Sequence, residues 1–535
     1  MTANLILHNA RIYTVDPAQP WAEAVACAEG RIVAVGRNSD VLNLAGPSTK
    51  VIDMQGRLLL PGLIDAHVHF LQVAIRRHQV SLYGVRDFSE VRRRIREAVA
   101  QVEPGRWVQG WGWDDNLWDI APTAALLDEL APQTPVILYR LDMHTIWVNS
   151  AAMRVANLTA ATVDPPESKI ERDAAGQPTG LLREWNAIAL VEQHIPPPTD
   201  DSLRPWLEET ITEAHRLGLT GIHDQRVERE GRRSFRLFQS LDREGQLKLR
   251  VHMHIAADYL AEAARLGLRP GFGSERLWLG HAKAFADGTL GSQTALMLEP
   301  FEGTNNTGLA VTSADELWEL AIQANRAGFP LSIHAIGDRA IRDVINVLSE
   351  FKPDLAAGQL SHRIEHVQII QPDDMRRMAK HGLVASMQPV HLVFDWRTAD
   401  RVWGQRSRYT YAFRSLLDAG VPLAFGSDAP VAPLDPLLGI YAAATRQDEQ
   451  GQPPEGWYPN ERLTIAEIIH GYTMGPAQLA GQAHRQGSIT PGKWADMIVL
   501  DRNIFEIEPV EIKDVPVAMT VLGGEVVYEG AAYES

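Results

Sequence analysis

The chain is 535 residues long, carries a formal net charge of −16 at pH 7 and holds one cysteine, Cys27. The acidic surplus, with no cluster of Lys or Arg to offset it, argues against a nucleic-acid footprint. A lone cysteine excludes an internal disulfide and fits a reducing compartment, and no apolar run approaches the ~18 residues of a membrane span.

Residues 1–9 read as a strand, not as a basic region followed by an apolar core, so a cytoplasmic protein without a signal peptide is expected. Residues 3–57 alternate short apolar runs with turn residues at Asp16-Pro17, Glu29-Gly30 and Gly56, the pattern of a small antiparallel sheet. The far end has the same texture, with short strands and turns at 487–492, 496–500 and 517–524. This predicts a composite β domain from residues 1–60 and 482–535 around a different middle, 61–481.

The middle alternates strand-like and helix-like segments, the rhythm of a parallel α/β fold. Candidate strands end near Phe70, Arg140, Asp224, Ile255, Phe285, Ala335, Val367, Gln388 and Asp428. That is nine runs for the eight positions of a barrel, and the surplus one is expected near 250–285. Two insertions interrupt the rhythm. Residues 71–134 carry Trp107, Trp111, Trp113 and Trp118, while 150–200 is rich in Pro, Asp and Gly. Loops of that size in an enzyme serve as lids or binding loops, and Trp111 and Trp113 are candidates for contact with an apolar or aromatic substrate group.

The apolar run 58–66 ends in His67-x-His69. Alternate side chains of a strand share a face, so the two imidazoles form half of a metal site on one rigid element. Further polar residues stand where other apolar runs stop: His334, His366 and Asp428, with Lys283 inside the run 279–288. In a barrel that end of the strands is where active sites are built.

This set resembles the metal-dependent amidohydrolase superfamily. Arg140-x-Asp142-x-His144-x-x-Trp147, Gly176-x-Pro178-Thr179-Gly180-x-Leu182-x-Glu184, His334-Ala335-Ile336-Gly337-Asp338 and Gly426-Ser427-Asp428-Ala429-Pro430 resemble its amidohydrolase-3 or YtcJ-like branch, which includes N-substituted formamide deformylase. Met143 departs from the glycine common at that position in the branch. The resemblance implies a distorted TIM-like (β/α)8 barrel with a small β-sandwich domain made from both chain ends. It implies one divalent metal on His67, His69 and Asp428, with His334 and His366 completing a second site, zinc being the expected ion at one or two per chain. Two residues compete as the bridging ligand. Lys283, carbamylated by carbon dioxide, would become an anion, whereas an unmodified lysine would be protonated and repel a cation; a salt bridge to Asp287 is its alternative role. Glu184 is already a carboxylate and is the rival, with substrate orientation as its other reading.

The mechanism so implied uses metal-activated hydroxide, Asp428 as general base and then acid, and His144 as a further donor to the oxyanion. The expected reaction is hydrolysis of a linear amide, N-acyl or N-formyl group of a small molecule. A cyclic amide, carbamate or ester would use the same site, and a catalytically silent metal-binding homologue is the reading of another class. A homodimer is compatible with a protein of this build.

Overall fold

The computed structural model describes residues 2–103, 105–140, 145–166, 168–225, 232–355 and 358–530. Eight parallel strands make one sheet: β1 (Leu63–Val68), β2 (Leu219–Asp224), β3 (Arg250–Ala256), β4 (Leu277–Phe285), β5 (Leu331–Ala335), β6 (Arg363–His366), β7 (Val384–Met387) and β8 (Leu423–Phe425). Each pairs with its neighbours in chain order. Nearly every residue in them is buried, which is why they read as continuous apolar runs and not as alternating ones. The two edges come together just past the strand ends. The Asp428 N–H donates to the His67 carbonyl at 2.6 Å, and the His69 N–H donates to the Ala429 carbonyl at 2.8 Å. A Cβ on Gly426 would lie 2.4 Å from the His67 nitrogen, so glycine is what lets β8 approach β1. The fold is a TIM-like barrel, as expected.

The surplus strand is not where the sequence suggested. Both β3 and β4 belong to the barrel, and the run that does not is Val136–Arg140. It pairs in parallel with Val108–Trp113 and antiparallel with Thr145–Val148, inside a separate six-stranded sheet. An apolar run buried on both faces has the same local pattern in either sheet, so periodicity could not assign it.

Residues 71–209 form a compact unit of their own. Its sheet runs Lys169–Arg172, Pro178–Arg183, Thr145–Val148, Val136–Arg140, Val108–Trp113, Val80–Ser81. Along the central strand Val136 and Leu138 join one apolar cluster, with Trp113, Trp118 and Trp147. Ile137 joins the other, with Trp107, Ile146 and Ile188. The segments read as two long loops therefore carry strands and helices of a folded layer.

The other compact unit holds residues 1–70 and 210–535, the barrel together with both chain ends. The ends build two sheets. One is ordered Arg31–Gly36, Ala24–Ala28, Leu5–His8, Lys50–Asp53. The second is ordered Glu525–Glu529, Val517–Leu522, Met497–Leu500, Leu58–Pro61, Arg11–Tyr13, Trp21–Ala22, and so mixes strands from both termini. Leu5, Leu7, Val25, Cys27, Leu59, Met497, Val499 and Met519 share one core between them. No helix among the described residues is long and apolar enough to cross a membrane.

A buried ion pair ties β3 to the C-terminal segment. Arg250 donates through Nε and Nη2 to both oxygens of Asp496, the Nη2 contact being 2.9 Å, and its guanidinium lies 3.7 Å from the Trp494 ring centroid. Removing one partner leaves the other charge buried and unpaired, which costs about 3–5 kcal/mol. Asp496→Ala is therefore expected to lower stability by about that amount in urea unfolding. The double replacement Arg250→Met with Asp496→Leu is expected to recover most of the loss.

Candidate metal and active site

The site is assembled from the ends of β1, β4, β5, β6 and β8. His67 lies one residue before the end of β1 and His69 one residue past it, both reaching Asp428: His67 Nε2 lies 3.3 Å and His69 Nε2 3.2 Å from Asp428 Oδ1. One ligand atom from each of these three residues lies within 4.8 Å of the others. The same holds for His366, His391 and Asp428, so the aspartate belongs to both groups. The His366 ring centroid is 4.9 Å from that of His67 and 4.5 Å from that of His334, which brings β5 and β6 to the same place. Asp428 and His366 have φ of 58° and 71°, in the left-handed region that side-chain-bearing residues avoid. Strain of this kind is found where geometry at a site overrides local preference.

Hydrogen bonds select the imidazole tautomers. His67 Nδ1 donates to Glu365 Oε2 at 2.6 Å, leaving the Nε2 lone pair toward Asp428. His366 Nδ1 donates to Gln388 Oε1 at 2.8 Å, again freeing Nε2, and His334 Nε2 donates to the Gly288 carbonyl at 3.0 Å, freeing Nδ1. A ring nitrogen committed to a carboxylate or carbonyl is how metal-binding imidazoles are oriented. Burial pushes the His334 imidazole down to about 3, with Lys283 adding to the effect, and holds His366 well below its usual value. Neutral rings are what a metal ligand requires.

Burial would raise the carboxyls of Glu365 and Asp428, but neighbouring groups win. The Arg363 guanidinium, then His67 and Lys283, hold Glu365 well below the usual carboxylate range. His67, His69 and His366 do the same for Asp428. Glu365 also accepts from Ser332 Oγ at 2.6 Å. Lys283, on β4, is buried, and its ammonium is pushed down to about 8 by burial, with Glu365 and Asp428 opposing. Among the described residues its Nζ has no hydrogen-bond partner. It does not pair with Asp287, whose carboxylate instead accepts the backbone N–H groups of Ile336, Gly337 and Leu296 at 3.0, 2.8 and 2.9 Å.

The barrel thus gathers His67, His69, Lys283, His334, His366 and Asp428 from distant parts of the sequence. Glu184, Trp111 and Trp113 lie in the 71–209 unit. Glu184 is exposed, with φ 67°, immediately before the helix Trp185–Glu192. Trp113 is buried in that unit's core and donates its indole N–H to the Leu138 carbonyl at 2.8 Å, a packing environment. Trp111 is half-buried, stacked on Tyr83 and beneath the Arg76 guanidinium, which is 5.2 Å away. His144 lies outside the described residues.

Sequence reasoning missed Glu365, Arg363 and His391. The first two left a signal: two charged residues at i and i+2 of a buried strand share a face and must find partners there. His391 left none, because it opens the helix His391–Trp403 and does not end an apolar run. Its Nε2 is 3.7 Å from Asp428 Oδ2, and its ring stacks on His366 at 6.2 Å.

A parallel eight-stranded barrel with His, His and Asp at its seam, and further imidazoles at the ends of β5 and β6, defines a metal-dependent hydrolase of the amidohydrolase type. The chain belongs to the Amidohydrolase family, whose profile matches residues 50–528. It is a hydrolase of carbon–nitrogen bonds. It is 32% identical to Protein LONG AFTER FAR-RED 3 of Arabidopsis thaliana, across 99% of this chain and 92% of that protein. It is 30% identical to N-substituted formamide deformylase of Arthrobacter pascens, across 98% of each. An uncharacterised metal-dependent hydrolase from Pyrococcus horikoshii superposes with a TM-score of 0.78 at 25% identity, covering 94% of this chain and 99% of that one.

Glu365 fixes the His67 tautomer, so Glu365→Gln is expected to weaken metal binding by about 10–100-fold, as loss of such outer partners does. Zinc titration against a competing chelator measures this, with circular dichroism confirming that the barrel is retained.

Proposed function

We propose that the protein hydrolyses a linear amide, of the N-acyl or N-formyl kind, in a small molecule, using two divalent metals, zinc foremost. His67, His69 and Asp428 would hold one ion and His334 and His366 the other, and the chemistry of this donor set fits them: neutral imidazoles with an ionised carboxylate suit zinc and its neighbours. When bound, such metals lower the pKa of water toward neutrality and polarise the substrate carbonyl.

The observation that carries the reading is Lys283. An amine buried among metal-ligand candidates, with the Phe285 ring 4.8 Å from its Nζ and no described hydrogen-bond partner, is anomalous unless it is modified. Its lowered pKa, about 8, keeps a fraction as free amine at neutral pH, the form that attacks carbon dioxide. The amine bonds to the carbon and loses a proton, giving an anionic carbamate able to bridge two cations. Glu184 is the competing bridge.

The chain's own residues do the proton work. Asp428, ionised and held between His67, His69 and His391, takes the proton of the attacking water and returns it to the departing amine. His391 supplies an N–H for developing negative charge on the same side, the task the sequence assigned to His144. A formamide or N-acyl amine fits because its leaving group needs that returned proton. The deformylase named among the relatives acts on an N-substituted formamide, which supports the same class.

Asp428→Asn keeps the shape of the side chain but cannot accept a proton, so kcat is expected to fall by about 10²–10⁴-fold. Lys283→Ala is expected to bind at least one metal fewer per chain than wild type, and the wild-type intact mass should carry a labile carbon dioxide. A metal content unchanged by Lys283→Ala would reject the carbamate and turn attention to Glu184. Turnover of a panel of N-formyl amines, N-acyl amines, cyclic amides, carbamates and esters tests the bond; cleavage confined to the last three would replace the linear-amide reading.

A further inference from the structure

Three polar side chains behind His391 take no part in the chemistry above. Asp395 lies one turn along the helix His391–Trp403, at i+4 from His391 and therefore on the same face. Its Oδ2 accepts the Tyr411 hydroxyl at 2.6 Å and the Gln368 side-chain amide at 2.7 Å, and that amide also donates to the Tyr411 oxygen at 2.6 Å. Tyr411 and Gln368 are buried. Burial raises the Asp395 carboxyl, and the His391 imidazole is the first of the groups that oppose the shift. A carboxylate in this place loses hydration that an apolar side chain would not need, so packing alone does not account for it.

These hydrogen bonds join segments that also carry the site. Gln368 stands two residues past His366, and its carbonyl accepts the Tyr411 N–H at 2.9 Å. The Tyr411 carbonyl accepts Nη1 of Arg446 at 2.8 Å, a fully buried guanidinium with the Phe413 and Trp457 ring centroids each 5.5 Å away. At the start of the helix the His391 N–H donates to the Gln388 carbonyl at 3.0 Å, and the Gln388 side chain is what His366 Nδ1 donates to. His391 is thereby tied to His366 twice, through Gln388 at its own backbone and through Asp395 and Gln368 one turn along. The two rings lie nearly parallel, at 14°. Backbone strain concentrates on the same set of contacts: φ is 71° at His366, 43° at Val367, 49° at Tyr411 and 58° at Arg446. Such strain persists only where surrounding contacts over-determine the geometry.

We propose that Asp395, held by Tyr411 and Gln368, is a positioning residue that keeps the His391 imidazole beside Asp428, where its N–H meets the oxyanion formed in hydrolysis. The inference rests on the role given to His391 above and adds what keeps that donor in place. His391 Nε2 is buried with no hydrogen-bond partner among the described residues, and at 3.7 Å from Asp428 Oδ2 it is too far for a hydrogen bond to hold the ring. The ring is therefore placed from behind, by its helix. Apolar contact fixes one side of that helix, where Val393 packs with Ala432 and Leu438. Asp395 fixes the rotation about the helix axis on the face that carries His391. A donor set in advance in this way needs no rearrangement as charge develops on the substrate.

A double-mutant cycle tests this, run on the zinc-loaded chain with whichever compound of the panel is turned over. Asp395→Ala is expected to lower kcat by about 10–100-fold, as misplacement of a reacting group does, while KM changes little. Tyr411→Phe keeps the ring, is expected to lower kcat by a smaller factor, and serves should Asp395→Ala not fold. In a His391→Ala background neither change is expected to lower kcat further, because a residue that acts through His391 has nothing left to position. Reductions that multiply with that of His391→Ala would overturn the inference. So would a loss of zinc, which would place the effect on the ligand His366, and so would a His391→Ala variant as active as wild type. Ester turnover with the same non-additivity would support this inference while replacing the linear-amide reading, so the two fail separately. A crystal structure of Asp395→Ala, or of Tyr411→Phe, decides without turnover. His391 is expected to leave its place beside Asp428 while His67, His69 and Asp428 keep theirs, and an unmoved His391 would overturn the proposal.

Discussion

The seam where β8 closes on β1 is the constraint on which the site depends. Asp65, buried on β1, accepts the Ser427 N–H and the His67 N–H, each at 3.0 Å, together with the Ser427 hydroxyl. Its carboxyl is pushed up to about 6 by burial, with those hydrogen bonds pulling the other way. It stitches the strand carrying His67 and His69 to the loop carrying Asp428, where the missing side chain of Gly426 allows the backbones to meet. The proposed ligands of one metal therefore come from segments separated by more than 350 residues and locked by one carboxylate. A barrel closed elsewhere would leave that set split.

Behind the seam, charge is balanced by burial in pairs. Arg363 and Glu365 are both fully buried on β6, and the guanidinium also donates to the Ala66 carbonyl at 2.6 Å. Pairing lets Glu365 stay ionised where burial alone would protonate it. An ionised Glu365 keeps the His67 proton on Nδ1, which decides the face that lone pair presents. Electrostatics thus reaches the ligand through tautomer choice, not through direct contact with an ion. Lys283 is left as the buried cation with no matching described acceptor, and that imbalance is what modification to an anion would remove.

The fold was legible where local pattern and global position coincide. Continuous apolar runs ending in His, His and Asp mark β1, β5, β6 and β8, because a parallel strand is buried on both faces and only its end meets the site. The β-rich texture of both termini likewise shows in the sheet joining Leu58–Pro61 with Met497–Leu500. The pattern misled at Val136–Arg140, since a buried central strand looks the same in any sheet. It also misled across 71–134 and 150–200, where short strands separated by Pro and Gly read as loops. Trp113 shows a related limit: a tryptophan near a predicted site is equally a core residue, and the buried N–H bonded to Leu138 is a contact no spacing reveals. His391 depends on how the chain turns after β7, and Glu365 on which partner it meets across the barrel.

The barrel interior adds a last point about how this sequence distributes polarity. A barrel core is ordinarily filled by branched aliphatic residues in layers. Here β2, β3 and β4 place four imidazoles inward, and a glycine at 280 makes room, since a Cβ there would lie 2.4 Å from His252 Nε2. Each imidazole loses hydration on folding, and apolar residues of similar volume would pack without that loss. Polar residues held at such a cost in the layer below the candidate metal ligands are not explained by packing. Their hydrogen bonds run from Arg363 at one end to the Ser361 carbonyl at the other, so the same arginine that ionises Glu365 also fixes the tautomer of His223. The layer of candidate metal ligands and the layer beneath it thus share one guanidinium.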